Sequence, residues 1–278
     1  MALTEQNNIS IAQIVIFTPS LFLAILLAIR HGFGRSSGWL FLIIFSLARL
    51  IGAALQLATI SDPKNIGLHV GAVTLQNIGL SPLIMVQLAL IGRTLGSIRK
   101  STTSLVTEKR VHLIHLVTLV GLILGAIGGS NSGSDFQKTG TYKVSTLTQA
   151  GTGLMIAAYI LLVISTIVVA TQISAVEPGE KRLVLAVGLS LPFILIRLAY
   201  AAESVFGHNP SFSQLTGDVN IQLGMAVIME MIVVAICEGI GMTLKKLPKN
   251  QAAAPPAADG YQQPWNQREA DQELGGYK

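Results

Sequence analysis

Three ionisable residues interrupt apolar runs: Arg49 in FSLARLIGAA, Arg197 in FILIRLAYAA and Glu230 in AVIMEMIVV. A charge at the centre of a bilayer costs at least ~2.5–3.5 kcal/mol, so such groups face a protein interior and pair with one another. Two arginines and one carboxylate on neighbouring spans either fix helix register or form a ligand or ion site. The second role is favoured, because ionisable residues inside a membrane are functional by default. Helical spacing adds companions to each arginine. Phe45, Arg49, Gly52 and Gln56 fall on one face, as do Phe193, Arg197, Tyr200 and Ser204. Gln76 and Asn77 lie at a depth that reaches Arg197. The candidate ligand-binding set is therefore Arg49, Arg197, Glu230, Gln76, Asn77, Tyr200 and Gln56.

Other chemistry lacks its motifs. There is no P-loop, HExxH, GxSxG or CxxC in the sequence. His112 and His115 sit at i, i+3 without accompanying acids, a poor metal site, so neither metal nor cofactor is expected. The single cysteine, Cys237, excludes an intrachain disulfide and reads as a core residue. Glu203 and Glu238 read as interfacial acids near opposite ends of their spans.

The elements that position the charges follow from composition. The chain has 278 residues, 51% of them hydrophobic and only 12% charged, with a positive mean hydropathy. Soluble domains carry about 25% charged residues. Apolar runs cover residues 9–29, 39–60, 66–95, 111–129, 144–174, 183–206 and 219–242. Each is long enough for a span, which needs ~20 residues. The fold class expected is an all-α membrane protein of seven transmembrane helices. Arg49 then lies ~15 Å into the second span, near the midplane. Prolines 19, 82 and 192 lie within the first, third and sixth spans, Pro19 being expected to kink its helix, and Trp39 suits an interfacial anchor. Gly121, Gly125 and Gly129 make two overlapping GxxxG units, which serve packing inside the bundle or a seam between copies in a homo-oligomer.

Charge sets the topology. Twelve flanking Lys and Arg, among them Arg30, Arg93, Arg110 and Lys181, collect on one side, against Lys64, Lys138 and Lys143 on the other. By the positive-inside rule the N-terminus is outside and the C-terminus cytosolic. Apart from Arg49 and Arg197, the basic residues sit in short clusters between the spans, at their ends or in the tail, which argues against a nucleic-acid partner and for the lipid bilayer. Residues 1–8 form a short extracellular or lumenal N-terminus and 9–246 the seven-helix domain. Residues 247–278, rich in Ala, Pro and Gln, form a disordered cytosolic tail. The loop 130–143 is expected to be polar and flexible. The protein is expected to be multi-pass, in the plasma membrane or an endomembrane.

The two arginine segments echo one another. Phe45, Leu47, Arg49, Leu50, Ala53 and Ala54 recur as Phe193, Leu195, Arg197, Leu198, Ala201 and Ala202. This suggests a 3+1+3 plan of parallel repeats with a site between them. LARLIGAALQLATIS, NIGLSPL and PFILIRLAYAAESVF, followed by a glutamate-bearing last helix, resemble a fungal family of uncharacterised seven-helix integral membrane proteins. That resemblance covers most of residues 9–246 and implies no particular activity. More remotely, the layout is similar to the RTA-like lipid-translocating exporters. The reading that follows is a transporter or translocator of a small amphipathic or lipid-like molecule. The alternatives are a seven-helix receptor or sensor, and an intramembrane, cyclase-like enzyme with Glu230 as general acid. The enzyme reading is disfavoured because a nearby arginine stabilises the carboxylate anion.

Overall fold

The computed structural model describes residues 4–32, 37–63, 65–98, 108–139, 143–176, 179–207, 209–213 and 217–244. The tail from residue 247 and basic residues such as Arg35, Arg99 and Lys245 lie outside them. Among the described residues there is no β-strand. The helices are α1 (Glu5–His31), α2 (Ser37–Ala58), α3 (Ile66–Ile78), α4 (Leu80–Ile98), α5 (Glu108–Thr139), α6 (Thr146–Thr171) and α7 (Lys181–Phe206). The last, α8 (Val219–Thr243), contains a π-turn at Leu223–Val227. With α3 and α4 counted as one run, Ile66–Ile98, seven helices are long and apolar enough to cross a membrane. The protein is a multi-pass integral membrane protein of all-α class.

Local chemistry starts and stops these helices. Thr4, Asn65, Ser145 and Asp218 each accept a first-turn backbone N–H with a side-chain oxygen, which satisfies one of the donors a helix start leaves open. Gly32 ends α1 at φ +85°, a conformation only glycine adopts freely. Pro82 divides the third span, because it lacks the N–H that would bond the Ile78 carbonyl and its ring crowds that carbonyl. The break falls at Gly79.

The α3–α4 run is the axis of the bundle. It touches α2, α5, α6 and α7, while α1 packs on α2 and α8. Leu83, Ile84, Leu88, Ile91 and Leu95 of α4 are wholly buried. Large apolar side chains instead face outward from the surrounding helices, as with Phe22, Ile51, Leu116, Ile164 and Leu185. This inverted surface is what a bilayer accepts, so the helices contact lipid.

Several expectations are corrected. Trp39 is no interfacial anchor: it is 0% exposed, stacked on His31 at 5.7 Å between ring centroids. A Cβ on Gly241 would collide with its ring, so that glycine admits the indole. Residues 130–139 of the expected flexible loop 130–143 are helical, because α5 continues to Thr139. There Ser132, Ser134 and Thr139 return their hydroxyls to carbonyls four residues back. Ser132 also accepts from the Ser145 amide at 2.9 Å, which ties the end of α5 to the start of α6. The first span begins at Glu5 rather than residue 9.

The glycines of α5 serve contacts within the chain. A Cβ on Gly151 of α6 would meet the Gly121 carbonyl and the Gly125 amide, each at 2.8 Å. Gly129 faces Thr74 of α3. Small residues are what allow two backbones this close in lipid, where no hydrophobic force drives helices together.

Candidate functional site

Arg49, Arg197 and Glu230 come together. Arg197 donates from Nε to Glu230 Oε1 at 2.7 Å, and Arg49 donates to the same oxygen from Nη2. Arg49, Arg197 and Glu230 are 2%, 3% and 0% exposed, and Glu230 sits near the middle of α8. Three different helices therefore converge on one carboxylate oxygen deep in the bundle. At such depth a pair of this kind gains from low dielectric, and removal of one partner strands the other.

Each guanidinium is supported by an aromatic from its own helix. Arg49 lies 5.3 Å from the Phe45 ring centroid, and Arg197 lies 5.6 Å from that of Tyr200. The two arginine segments resemble each other in sequence, yet the aromatics sit on opposite sides of their arginines, at i−4 and i+3. Phe45 is itself fixed edge-on by Phe17 of α1, centroids 5.5 Å apart. Tyr200 leans on Phe212 in the following 3-10 turn.

The break in the third span completes the cradle. A Cβ on Gly79 would occupy the space of the Arg49 guanidinium, so this position has to be glycine for Arg49 to cross the axis. Gly79 itself has helical backbone angles, so the requirement is room and not conformation. The last carbonyls of a helix lack amide partners in the ladder. One turn before the break, the Gln76 carbonyl accepts from Arg197 Nη2 at 3.3 Å. Gln76 was expected to serve Arg197 as an amide; its main chain does so instead. Its side-chain oxygen accepts from Gln222 Nε2 of α8 at 3.0 Å.

Among the described residues no hydrogen bond joins Gln56 to Arg49 or Arg197. Gln56 lines a small polar pocket of ≈ 20 Å³ toward the amino-terminal end, together with Gln6, Gln76 and Gln222. Gln6 and Gln222 were not foreseen, since glutamines near span ends are unremarkable in sequence. The side chain of Asn77 lies outside what is described.

Hydrogen-bonding capacity remains in the cluster. Among the described residues Arg49 Nε, Arg197 Nη1 and Glu230 Oε2 are buried and have no partner. Buried polar atoms in folded proteins are nearly always paired; outside the cluster Gln13, Gln87 and Arg93 carry unpartnered buried atoms as well.

Arg197 also reaches a second space. A cleft between α4, α5, α6 and α7 offers ≈ 50 Å³ to a water-sized body, within ≈ 500 Å³ of non-atom space that includes its open side. Leu122, Met155 and Val205 give it an apolar wall, Ser81 and Thr152 add hydroxyls, and Arg197 brings the charge.

Glu238 is a residue whose setting was misjudged. It is 6% exposed, not interfacial, and accepts from Ser20 Oγ at 2.6 Å; Ser20 lies 3.4 Å from Ser46 Oγ. The missed signal is the polar face of α1, where Asn7, Ser10, Gln13 and Ser20 are all buried. Cys237 is buried as expected and accepts from Gln87 Nε2 at 3.2 Å. His115 stacks on Phe41. Among the described residues no group of three or more His, Cys, Asp or Glu could hold a metal ion.

The far end of the bundle is closed by two polar ties. Arg30 donates to the carbonyls of Met242 and Leu244 at the end of α8, where a cation also meets the negative end of the helix dipole. Arg93 of α4 pairs with Glu180, the residue before α7, at 3.2 Å.

No curated protein and no solved structure matches the chain. A family model does, over residues 3–247, which takes in every helix among the described residues and the whole Arg49–Glu230–Arg197 cluster. The chain belongs to the family described as "Domain of unknown function (DUF7702)".

Proposed function

We propose that this membrane protein is a transporter or translocator of a small amphipathic or lipid-like molecule, which it handles at the Arg49–Glu230–Arg197 site. The observation that carries the reading is the incomplete pairing of that cluster. A device that only fixed helix register would saturate its own donors and acceptors, because each unsatisfied buried group costs ~1–3 kcal/mol. Here Arg49 Nε, Arg197 Nη1 and Glu230 Oε2 are left over. Ionisable groups inside a membrane commonly mark a substrate pathway.

Three further features support it. The matched arginines of α2 and α7 reach one oxygen of Glu230, which suits a 3+1+3 plan with its site between halves. The third span is broken beside the site, and α8 carries a π-turn just before Glu230; interrupted helices are how transporters free backbone groups for a substrate. The order of spans read from the sequence is also remotely similar to that of the lipid-translocating exporters.

The experiment is reconstitution into liposomes carrying a headgroup-labelled fluorescent lipid, with a membrane-impermeant quencher added outside. The wild-type protein is expected to raise the rate at which inner-leaflet label becomes quenchable, and Arg49→Gln to lower it. A rate equal to that of protein-free vesicles, across zwitterionic and anionic labelled lipids, rules the reading out.

A further inference from the structure

We propose that the molecule bound is an anionic amphiphile, whose carboxylate or phosphate sits on Arg197 and whose chain lies in the cleft between α5 and α6. This deepens the transport reading by naming the chemical class and the place, but binding does not require that the molecule be moved.

Charge is the first ground. Arginine stays protonated in proteins. The cluster is therefore +1 if Glu230 is ionised and +2 if it carries a proton, positive in either state. Glu238 does not balance it: its carboxylate is held by Ser20. Glu203 lies six residues beyond Arg197 on α7, ~9 Å along the helix, beside Gly207. Among the described residues neither acid is paired with Arg49 or Arg197. A buried excess of positive charge is costly on its own and becomes favourable when an anion neutralises it.

Geometry is the second. Arg197 has its Nε on Glu230 and its Nη2 on the Gln76 carbonyl. That fixes the plane of the guanidinium and leaves Nη1, which is buried and unpartnered. Arg197 is also the residue of the trio that lines the cleft. A guanidinium already held by two other bonds loses little freedom on binding an oxyanion.

The shape of the cleft is the third. Its remaining wall is made by Gly121, Gly125 and Gly151 beside Leu122, Met155 and Val205. The glycines bring α5 against α6 and contribute no side chain to fill the adjacent space. A cleft with an apolar wall beside a few hydroxyls and one arginine suits a stretch of acyl chain next to a charged head. A free inorganic anion would use the same Nη1 but gain nothing from the apolar wall.

The test is native mass spectrometry of detergent-purified full-length protein titrated with oleate, with monoolein as the uncharged counterpart and inorganic phosphate as competitor. Oleate is expected to bind saturably, and Arg197→Gln to weaken it at least about tenfold, since a charge-assisted hydrogen bond contributes ~1.5–3 kcal/mol. Thr152→Phe fills the cleft without touching the ions, so it should weaken oleate as well and guards against a misfolded Arg197 variant. Competition by millimolar phosphate would overturn the amphiphile in favour of a soluble anion. Equal binding of oleate and monoolein, unchanged by either variant, would overturn the proposal outright. Arg197-dependent oleate binding without lipid movement in proteoliposomes would sink the transport reading and keep this one; movement without such binding would do the reverse.

Discussion

At the scale of single residues, the molecule turns on one carboxylate oxygen that takes two guanidinium donors. Glu230→Gln leaves two buried arginines without a counter-charge. It is expected to destabilise the protein by about 3–5 kcal/mol, seen as a lower melting temperature or loss of the monodisperse peak in detergent. The converse variant separates structure from function. Arg49→Met, Arg197→Met and Glu230→Leu combined replace the ions by apolar groups of similar size. Such replacements are often neutral or stabilising by about 1–4 kcal/mol. The triple variant should therefore melt at or above the Glu230→Gln temperature yet fail to bind an anionic amphiphile. A triple variant that still binds would separate the ligand from the charges altogether. The trio was legible in the sequence because an arginine amid leucines is an anomaly that only burial against a partner explains. Glu238 and Trp39 were not legible. Their burial depends on Ser20 and Gly241, residues of no intrinsic signal that happen to face them across helix contacts.

Among the elements, the broken third span does most to shape the site. The proline in NIGLSPL announces an interruption, but not that Arg49 of α2 occupies the space a side chain at Gly79 would fill. Gly79→Ala is expected to cost about 1–3 kcal/mol, the usual price of overpacking, and to displace the Arg49 guanidinium from Glu230. Gly188→Ala on α7, where an added Cβ meets nothing within 4 Å, should leave the melting temperature unchanged or slightly raised. Equal effects at the two glycines would show that the room at the break is not specific. The same logic separates what the α5 glycines revealed from what they hid. Their spacing marks close approach of two helices. Only the three-dimensional register identifies Gly151 and Thr74 as the neighbours. The extension of α5 to Thr139 was hidden for a different reason: serines and glycines outside an apolar run look like a loop, yet here the hydroxyls turn back onto the preceding turn and Ser132 is tied to the Ser145 amide.

For the whole molecule, the seven-helix class was legible because hydrocarbon admits few alternatives: every backbone group has to be satisfied within its own span. Which helix lies at the centre was not, since α4 is no more apolar than its neighbours and its burial on all sides comes from packing alone. Orientation is a matter of charge, and we infer an outside N-terminus and a cytosolic C-terminus from the excess of Lys and Arg on one set of loops. The single native cysteine makes this testable. In a Cys237→Ser background, Asp62→Cys occupies an exposed turn after α2, and Gly179→Cys an exposed turn before α7. In sealed right-side-out vesicles a membrane-impermeant maleimide should label Asp62→Cys at once and Gly179→Cys only after the membrane is opened with detergent. The opposite pattern would invert the bundle. The Gln6, Gln56, Gln76 and Gln222 pocket would then face the cytosol, and an anionic amphiphile drawn to Arg197 would be offered to the other leaflet first.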